Sequence, residues 1–236
     1  MRDEGGTATV AEHDPFAGAP LAAFAPMSES QREVWLACAM DPDLNIGFNE
    51  GINLDLSGPL DIEVLRRSLQ HLIERHESLR MTFSPNGTWM CILEHLALDL
   101  PVLELADAGA FNDLCESAMR RRFDLVAGPL LNLVLVRRDP LHYNLLFVAH
   151  HLVCDGWSFA VLLTELGELY SAGVDQRDAR LDAAPKYTDY AMVERGFLDA
   201  AEGQEQERFW LDRLHDPPPV LDIPSDRPRP AHRRFE

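Results

Sequence analysis

An apolar run followed by two histidines constrains the fold of this chain more than any other feature. The run covers residues 145–149, His150 and His151 follow it directly, and Gly156 comes shortly afterwards. A short apolar run ended by a glycine predicts a buried strand that turns sharply at its end. Successive side chains of a strand point to opposite faces, so the two histidines cannot both face one ligand. We therefore expect one histidine to face a ligand and the other to support the strand, because buried polar groups need partners.

The spacing of the polar residues after this run resembles a known family signature. His150 and His151 are followed by three residues and then by Asp155 and Gly156. A pair of adjacent histidines is often no more than a hydrogen-bonded part of a core. This order, however, resembles the signature of condensation domains of nonribosomal peptide synthetases, a branch of the chloramphenicol acetyltransferase-like acyltransferases.

Four further segments resemble blocks of the same family, in the same order along the chain. They are Ser-Glu-Ser-Gln-Arg-Glu-Val-Trp at 28–35, Arg-His-Glu-Ser-Leu-Arg-Met-Thr-Phe at 75–83, Phe-Asp-Leu-Val-Ala-Gly-Pro-Leu at 123–130 and Tyr-Thr-Asp-Tyr-Ala at 187–191. Some positions differ, since Glu33 stands where the family usually has arginine and Met81 replaces a threonine. The resemblance covers residues 27–230 and corresponds to one of the two similar lobes of the family.

The resemblance implies an α/β fold (an α+β sandwich), in which a chloramphenicol acetyltransferase-like lobe has a mixed central sheet with helices packed on it. Residues 1–25 are rich in Ala, Gly and Pro and predict a flexible leader. Residues 26–216 are expected to form the N-terminal lobe. Residues 217–236 resemble the proline-rich segment that crosses toward a second lobe, which this sequence lacks.

Periodicity and turn residues place the individual elements. Alternating apolar residues predict a half-buried strand over 46–56, and Asp61 is expected to cap the helix that follows. An Asn-Gly pair predicts a hairpin that joins residues 80–83 to 89–93. A second, buried hairpin is predicted from residues 130–136 and 141–149. Further helices are expected after Ser28 and Ser158 as N-caps, and over 113–122 and 205–214.

Composition and charge exclude several classes of protein. The chain has 236 residues and a formal net charge of −18, so its field repels nucleic acid and anionic lipid surfaces. No run approaches the ~18 apolar residues of a transmembrane helix, and the N-terminus has no apolar signal segment. The four cysteines form no C-x-x-C pair, which favours reduced thiols over a zinc site. We expect a cytoplasmic protein with no nucleic acid or membrane partner.

The resemblance implies formation of an amide bond between two carrier-bound substrates. An amine on the phosphopantetheine arm of an acceptor carrier protein would attack the acyl thioester on a donor carrier protein. His151 matches the catalytic position of the family and would act as general base or orient the amine, and the sequence leaves both roles open. His150 would support the end of the strand. No cofactor would bind directly, since phosphopantetheine is carried by the partners, which also include the second lobe and neighbouring synthetase modules.

The remaining signature residues have predicted supporting roles. Asp155 is expected to fix the loop through an ion pair with Arg75, with Arg80 or with the second lobe, because an unpaired buried carboxylate is costly. Gly156 would permit a tight turn, and its N–H is a candidate oxyanion donor. The two residues that follow it are expected to bind substrate, and they are Trp157 and Ser158.

Several rival interpretations remain open at this stage. Cys154 next to the histidines suggests a thiolate nucleophile, although residues adjacent in sequence seldom form such a pair. A metal site is disfavoured, because the neighbouring His71, Glu74 and His76 lack the His-Glu-x-x-His spacing. Epimerisation and ester-forming acyltransferase domains share the histidine signature, whereas heterocyclisation domains are expected to carry aspartate there. The chain would otherwise be a non-catalytic module that recruits a carrier or an enzyme, or an inactive half-domain.

Overall fold

A computed structural model gives the structure of residues 19–216, 219, 224 and 226. Within these residues the chain forms seven strands and seven α-helices. In chain order they are β1 (Leu21–Pro26), α1 (Glu29–Met40), α2 (Pro42–Gly47), β2 (Asn49–Ser57), α3 (Ile62–Arg75), β3 (Met81–Phe83), β4 (Trp89–Leu93), β5 (Val102–Glu104), α4 (Ala108–Met119), β6 (Leu131–Asp139), β7 (His142–His150), α5 (Gly156–Asp175), α6 (Tyr187–Asp199) and α7 (Ala201–Arg213). The predicted crossing segment at 217–236 lies almost entirely outside the described residues.

The central sheet has four strands in the order β2-β7-β6-β5. β7 pairs antiparallel with both of its neighbours, and β5 pairs parallel with β6, so the sheet is mixed as predicted. β7 is buried along nearly its whole length because it has a strand on each side and helices above and below. The predicted buried hairpin is therefore confirmed, and it forms the middle of the lobe.

Helices cover both faces of this sheet. Phe147 on β7 packs edge to face with Phe159 on α5, with ring centroids 5.3 Å apart. On the opposite face Gly51, the partner of Val148 in the β2–β7 register, lies under Met119 of α4 so closely that a β-carbon there would come within 2.6 Å of the sulfur. The expected α/β sandwich is confirmed, with α5 on one face and α4 on the other.

A second sheet of three antiparallel strands, in the order β1-β4-β3, stands beside the first. Its β3–β4 pair is the hairpin predicted from the Asn-Gly turn. Its third strand corrects the sequence interpretation, because residues 21–25 belong to β1 and not to a flexible leader. Alanine and proline gave no strand signal, but β1 is an edge strand, which tolerates Pro26 and gains its backbone partners from β4. Residues 1–18 of the predicted leader lie outside the described part of the chain.

Element boundaries differ from the predictions in three more places. Ile46 lies in the short helix α2, so the strand predicted from residue 46 begins at Asn49. The helices predicted over 113–122 and 205–214 begin earlier, at Ala108 and Ala201. Asp107 accepts a hydrogen bond from the amide of Ala110 and so caps α4 ahead of its apolar residues. The capped starts of α1 at Ser28 and of α3 at Asp61 are confirmed.

Candidate active site

His150 is the last residue of β7, and its side chain is completely buried. Its Nδ1 accepts a hydrogen bond from the amide of Leu152 at 3.2 Å, and its Nε2 lies 3.8 Å from the sulfur of Cys38. Burial, with a smaller contribution from the positive charge of His151, lowers the pKa of His150 to about 4. This imidazole is therefore neutral at physiological pH and sits where a supporting residue would be expected.

His151 lies one residue beyond the strand, where its side chain is 38% exposed. Its amide donates to the carbonyl of Phe48 at 2.8 Å, which continues the pairing of β7 with the segment before β2. Its Nδ1 lies 2.8 Å from a carboxylate oxygen of Glu50, whose side chain is 35% exposed. The ring of Phe48 is nearly parallel to the imidazole, at an angle of 7°. The two histidines thus face different environments, as the alternation of a strand predicts.

A cavity of about 290 Å³ opens beside His151. Its apolar lining includes Val34, Leu152 and Val153. Its polar lining comes from α1, from the turn after α3, from the loop after β7 and from the starts of α5 and α6, and includes Gln31, Ser78, His151, Asp155, Ser158 and Tyr187. Gln31 donates from Nε2 to the carbonyl of Leu152 at 3.1 Å and ties α1 to the signature loop. The cavity therefore combines a half-exposed imidazole with hydroxyl, amide and carboxylate groups.

Within the described structure Asp155 is bonded to Ser158 and not to either arginine, and the predicted alternative of a partner in a second lobe stays a prediction. It is the N-cap of α5, and its Oδ1 accepts hydrogen bonds from the amide and the hydroxyl of Ser158 at 2.7 Å and 2.6 Å. These bonds, that of the hydroxyl first, lower the pKa of the Asp155 carboxyl. The prediction that Ser158 caps this helix is wrong as well, because Asp155 is better placed to satisfy the free amides of the first turn.

Neither predicted arginine contacts Asp155 within the described structure. Arg75 forms an ion pair with Glu165 of α5 at 2.9 Å, and His76 contacts the same carboxylate at 2.7 Å. Arg80 donates to backbone carbonyls at the end of α3, including that of Ile73 at 3.1 Å. Within the described residues both arginines thus join the end of α3 to neighbouring segments.

The tight turn predicted at Gly156 is revised, and substrate binding by Trp157 and Ser158 stays a prediction. Gly156 does not adopt a left-handed backbone, and a β-carbon built on it would meet nothing within 4 Å, so no tight turn requires glycine here. The first turn of α5 is therefore open to approach on the side of Gly156. Trp157 is 81% exposed and is absent from the described lining of the cavity, whereas Ser158 is part of it.

The thiolate alternative is disfavoured by the surroundings of Cys154. The residue is buried, and burial, followed by the negative charges of Asp155 and Glu50, raises the pKa of its thiol to about 12. A thiol that resists ionisation is a poor nucleophile. The structure describes all four cysteines as free thiols, and among the described residues no cluster of three or more His, Cys, Asp or Glu side chains is arranged to hold a metal ion.

Sequence reasoning missed Glu50, Gln31 as a partner of the loop, and Tyr187 as part of the cavity. Glu50 lies on β2, and its distance in sequence from His151 gives no indication of contact. Only the β2–β7 register, in which Asn49 faces His150, brings the two side chains together. Gln31 was noted only as part of a resembling block, since a capping glutamine has no pattern that predicts a distant carbonyl partner.

The fold and the site define an α/β sandwich protein whose mixed central sheet delivers a half-exposed histidine to an open cavity. Comparison with known proteins identifies the family more closely. The family model described as "Condensation domain" matches residues 22–236. The chain belongs to the condensation-domain family.

Curated relatives agree with this assignment. The chain is 34% identical over 239 residues to chondramide synthase cmdD of Chondromyces crocatus, an alignment that covers 98% of this chain and 6% of that protein. It is 32% identical over 215 residues to tyrocidine synthase 2 of Brevibacillus parabrevis, covering 91% of this chain and 6% of that protein. The chain therefore corresponds to a small part of each of these large synthases.

Solved structures show the same fold at lower sequence identity. The starter condensation domain of rhizomide synthetase RzmA superposes with a TM-score of 0.75 at 21% identity and covers 84% of this chain and 49% of its own. The first condensation domain of the calcium-dependent antibiotic synthetase, in complex with a substrate analogue, gives a TM-score of 0.72 at 21% identity, covering 86% of this chain and 52% of its own. The chain thus spans about half the length of these solved domains. Within the described residues, none of the helices is long and apolar enough to cross a membrane.

Proposed function

We propose that this chain is the N-terminal, histidine-bearing lobe of a condensation domain in a nonribosomal peptide synthetase or a hybrid polyketide-peptide synthetase. In this role it forms an amide bond between an acyl or peptidyl thioester and the amine of an amino acid, each held on a carrier protein. One observation carries the proposal: the second histidine of the signature lies half-exposed on a cavity while the first is buried and neutral.

The proposed reaction assigns a proton acceptor to His151. The amine nitrogen attacks the thioester carbonyl, a carbon–nitrogen bond forms, and the carbon–sulfur bond breaks to release the carrier thiol. The attacking nitrogen loses one proton, which Nε2 of His151 accepts and then returns to the departing sulfur. A positioned histidine of this kind contributes about 10²–10⁴-fold to a rate. His150 is unsuited to the task because burial keeps it away from solvent and substrate.

The start of α5 is the candidate site for the negative charge that develops on the carbonyl oxygen. Gly156 is the first residue of this helix, and the first amides of a helix have no partner within it. The accessible face at Gly156 would allow a carbonyl oxygen to approach. Phosphopantetheine enters this scheme as the arm of each partner carrier protein and not as a group held by the chain itself. The neighbouring partners would be the donor and acceptor carriers, the second lobe and adjacent modules of the synthetase, which we expect to be cytoplasmic.

A second candidate function is carrier binding without catalysis. Since the chain covers about half of the solved domains, it would act as a carrier-binding half-domain if the catalytic channel requires the other lobe. The test is intact-mass detection of acyl transfer from a loaded donor carrier to an aminoacyl acceptor carrier. The chain and its His151→Ala variant are compared, each alone and each with a separately expressed second lobe of a condensation domain.

The outcomes separate the two functions. Product that depends on His151 supports the proposed catalysis. Product formed equally by the variant shows that His151 is not the proton acceptor. No product under any condition, together with equal carrier binding by both proteins, assigns the chain to the binding function.

A further inference from the structure

The proposed reaction assigns a role to His151 but none to Glu50, the carboxylate that contacts it. The Nδ1 atom of His151 lies 2.8 Å from Oε1 of Glu50, which is within the distance of an ion pair. We propose that Glu50 is a positioning residue for His151: its carboxylate keeps the ring proton on Nδ1, so that Nε2 presents its lone pair to the cavity. This inference rests on the proposed function and names the residue that prepares the histidine for it.

The placement of the two side chains supports this role. His151 lines the cavity, whereas Glu50, whose side chain is 35% exposed, is not among the lining residues. The two nitrogens lie on different edges of the ring, and an Nδ1 that is engaged by Glu50 leaves Nε2 as the free atom. A neutral imidazole carries one proton, and the group bound to one nitrogen decides which nitrogen that is.

The backbone on both sides of Glu50 is held firmly. The amide of Asn49 donates from its side chain to the carbonyls of Met119 and Arg121 at 2.7 Å and 2.6 Å. Gly51 packs directly under Met119, where a larger residue would not fit without a shift. Glu50 therefore extends from a strand position with little freedom, which is what a group that orients another side chain requires.

The ring of His151 is restrained as well, and the other nearby carboxylate is already engaged. Phe48 lies nearly parallel to the imidazole and its carbonyl binds the amide of His151. Asp155 accepts both the amide and the hydroxyl of Ser158 as the helix cap. Glu50 is thus the carboxylate that can select the tautomer of His151.

The proton movements of the proposed reaction are consistent with this role. The proton lost by the amine goes to Nε2 and later to the leaving sulfur, while the proton on Nδ1 stays where it is. The carboxylate of Glu50 gains no proton, but its negative charge stabilises the imidazolium that forms for a short time. A tautomer with the proton on Nε2 would have no lone pair there and could not accept the amine proton.

The test is nitrogen-15 NMR of the whole chain with labelled histidine, titrated from pH 5 to pH 9. The chain has 9 histidines, and His151→Asn identifies the signal of His151 by its loss. In the wild-type protein the neutral form of His151 is expected to carry its proton on Nδ1. In Glu50→Ala the proton is expected to move to Nε2, the tautomer that a free histidine favours in water.

Two further variants make the result specific. Glu50→Gln keeps an oxygen that can accept the Nδ1 proton, so it is expected to restore the wild-type tautomer. Glu33→Gln removes a negative charge from an exposed position on α1 and is expected to change nothing. An unchanged tautomer in Glu50→Ala, or a wild-type proton on Nε2, would overturn the proposal. The wild-type spectrum alone decides the matter if Glu50→Ala does not fold.

Turnover gives a second reading that separates this inference from the proposed function. In the acyl-transfer assay Glu50→Ala is expected to lower kcat by about 10- to 100-fold, which is part of the roughly 10²–10⁴-fold that a positioned general base contributes, with little change in KM. Glu50→Gln is expected to fall between that variant and the wild type. If the tautomer changes as expected but no variant turns over, the positioning role stands and the proposed catalysis fails.

Discussion

The cap of α5 allows a sharp test of why Asp155 is present. Two explanations compete, since the carboxylate either caps the helix or forms an ion pair with an arginine, and the structure supports the cap. Asp155→Ala removes the acceptor of both Ser158 bonds, whereas Asp155→Asn removes the charge but keeps an oxygen in the same place. Asparagine caps helices about as well as aspartate, but a neutral amide cannot form an ion pair.

The expected magnitudes follow from the geometry of the cap. Loss of a side-chain N-cap costs about 0.5–2 kcal/mol, and we expect Asp155→Ala to lower the free energy of unfolding by about 1–2 kcal/mol. Asp155→Asn is expected to cost less, about 0.3–1 kcal/mol, because only the interaction of the charge with the helix dipole is lost. For a domain of this size each kcal/mol corresponds to about 2–4 °C in Tm.

Urea unfolding followed by circular dichroism at pH 7 measures both variants, and calorimetry checks the change in Tm. Ser158→Ala is the matched control, because it removes the bond from the hydroxyl and leaves the bond from the amide. If Asp155→Asn destabilises the protein as much as Asp155→Ala, the charge and not the cap is essential, and the assignment of Asp155 is refuted.

The same residue has a pH dependence of known sign. Its pKa is lowered in the folded state from an ordinary value of 3.8, so the carboxylate stabilises the fold above that value. This contribution is lost as the pH falls through the lower pKa of the folded protein. The stability difference between the wild type and Asp155→Asn is therefore expected to stay constant from pH 5 to pH 8 and to shrink in stronger acid.

Three further predictions concern residues around the site. Cys154→Ser should leave acyl transfer nearly unchanged, because the thiol is buried and its pKa is raised to about 12; a loss as deep as that of His151→Ala in the intact-mass assay would contradict this. The pKa of His150 is lowered to about 4 in the folded state, so between about pH 6.5 and pH 4 only the unfolded state takes up a proton at this residue. The free energy of unfolding should therefore fall by up to about 3 kcal/mol as the pH drops through this range. His150→Gln should reduce this loss when its urea unfolding is compared with that of the wild type at pH 7 and pH 4.5. If the free energy of unfolding falls as much in the variant as in the wild type, another group causes the acid sensitivity. Arg75→Ala leaves Glu165 with His76 as its remaining partner in a largely buried site and should lower the free energy of unfolding in urea by about 1–3 kcal/mol. The chemistry at His151 should not change directly. A negligible loss would mean that the ion pair does not join α3 to α5.

Much of this protein was predictable from its sequence, for reasons that lie in local physics. The apolar run before His150 and the polar positions after it predicted a buried strand that ends at the site, because a strand alternates its side chains whatever surrounds it. Asp61 and the spacing of the apolar residues after it predicted α3 for the same kind of reason. The ordered blocks around these elements identified the family, and the family model and curated relatives confirmed it.

Contacts between distant segments were decided only by the tertiary structure. Nothing local predicts β1, since its alanines become a strand through the backbone of β4. Asp155 caps α5 in place of the predicted Ser158, which donates to it, because the point at which the chain leaves β7 decides where the helix begins. Glu50 meets His151 because the register of β2 against β7 pairs Glu50 with Ala149 and so places it diagonally across from His151. Register is a property of the assembled sheet and not of either strand.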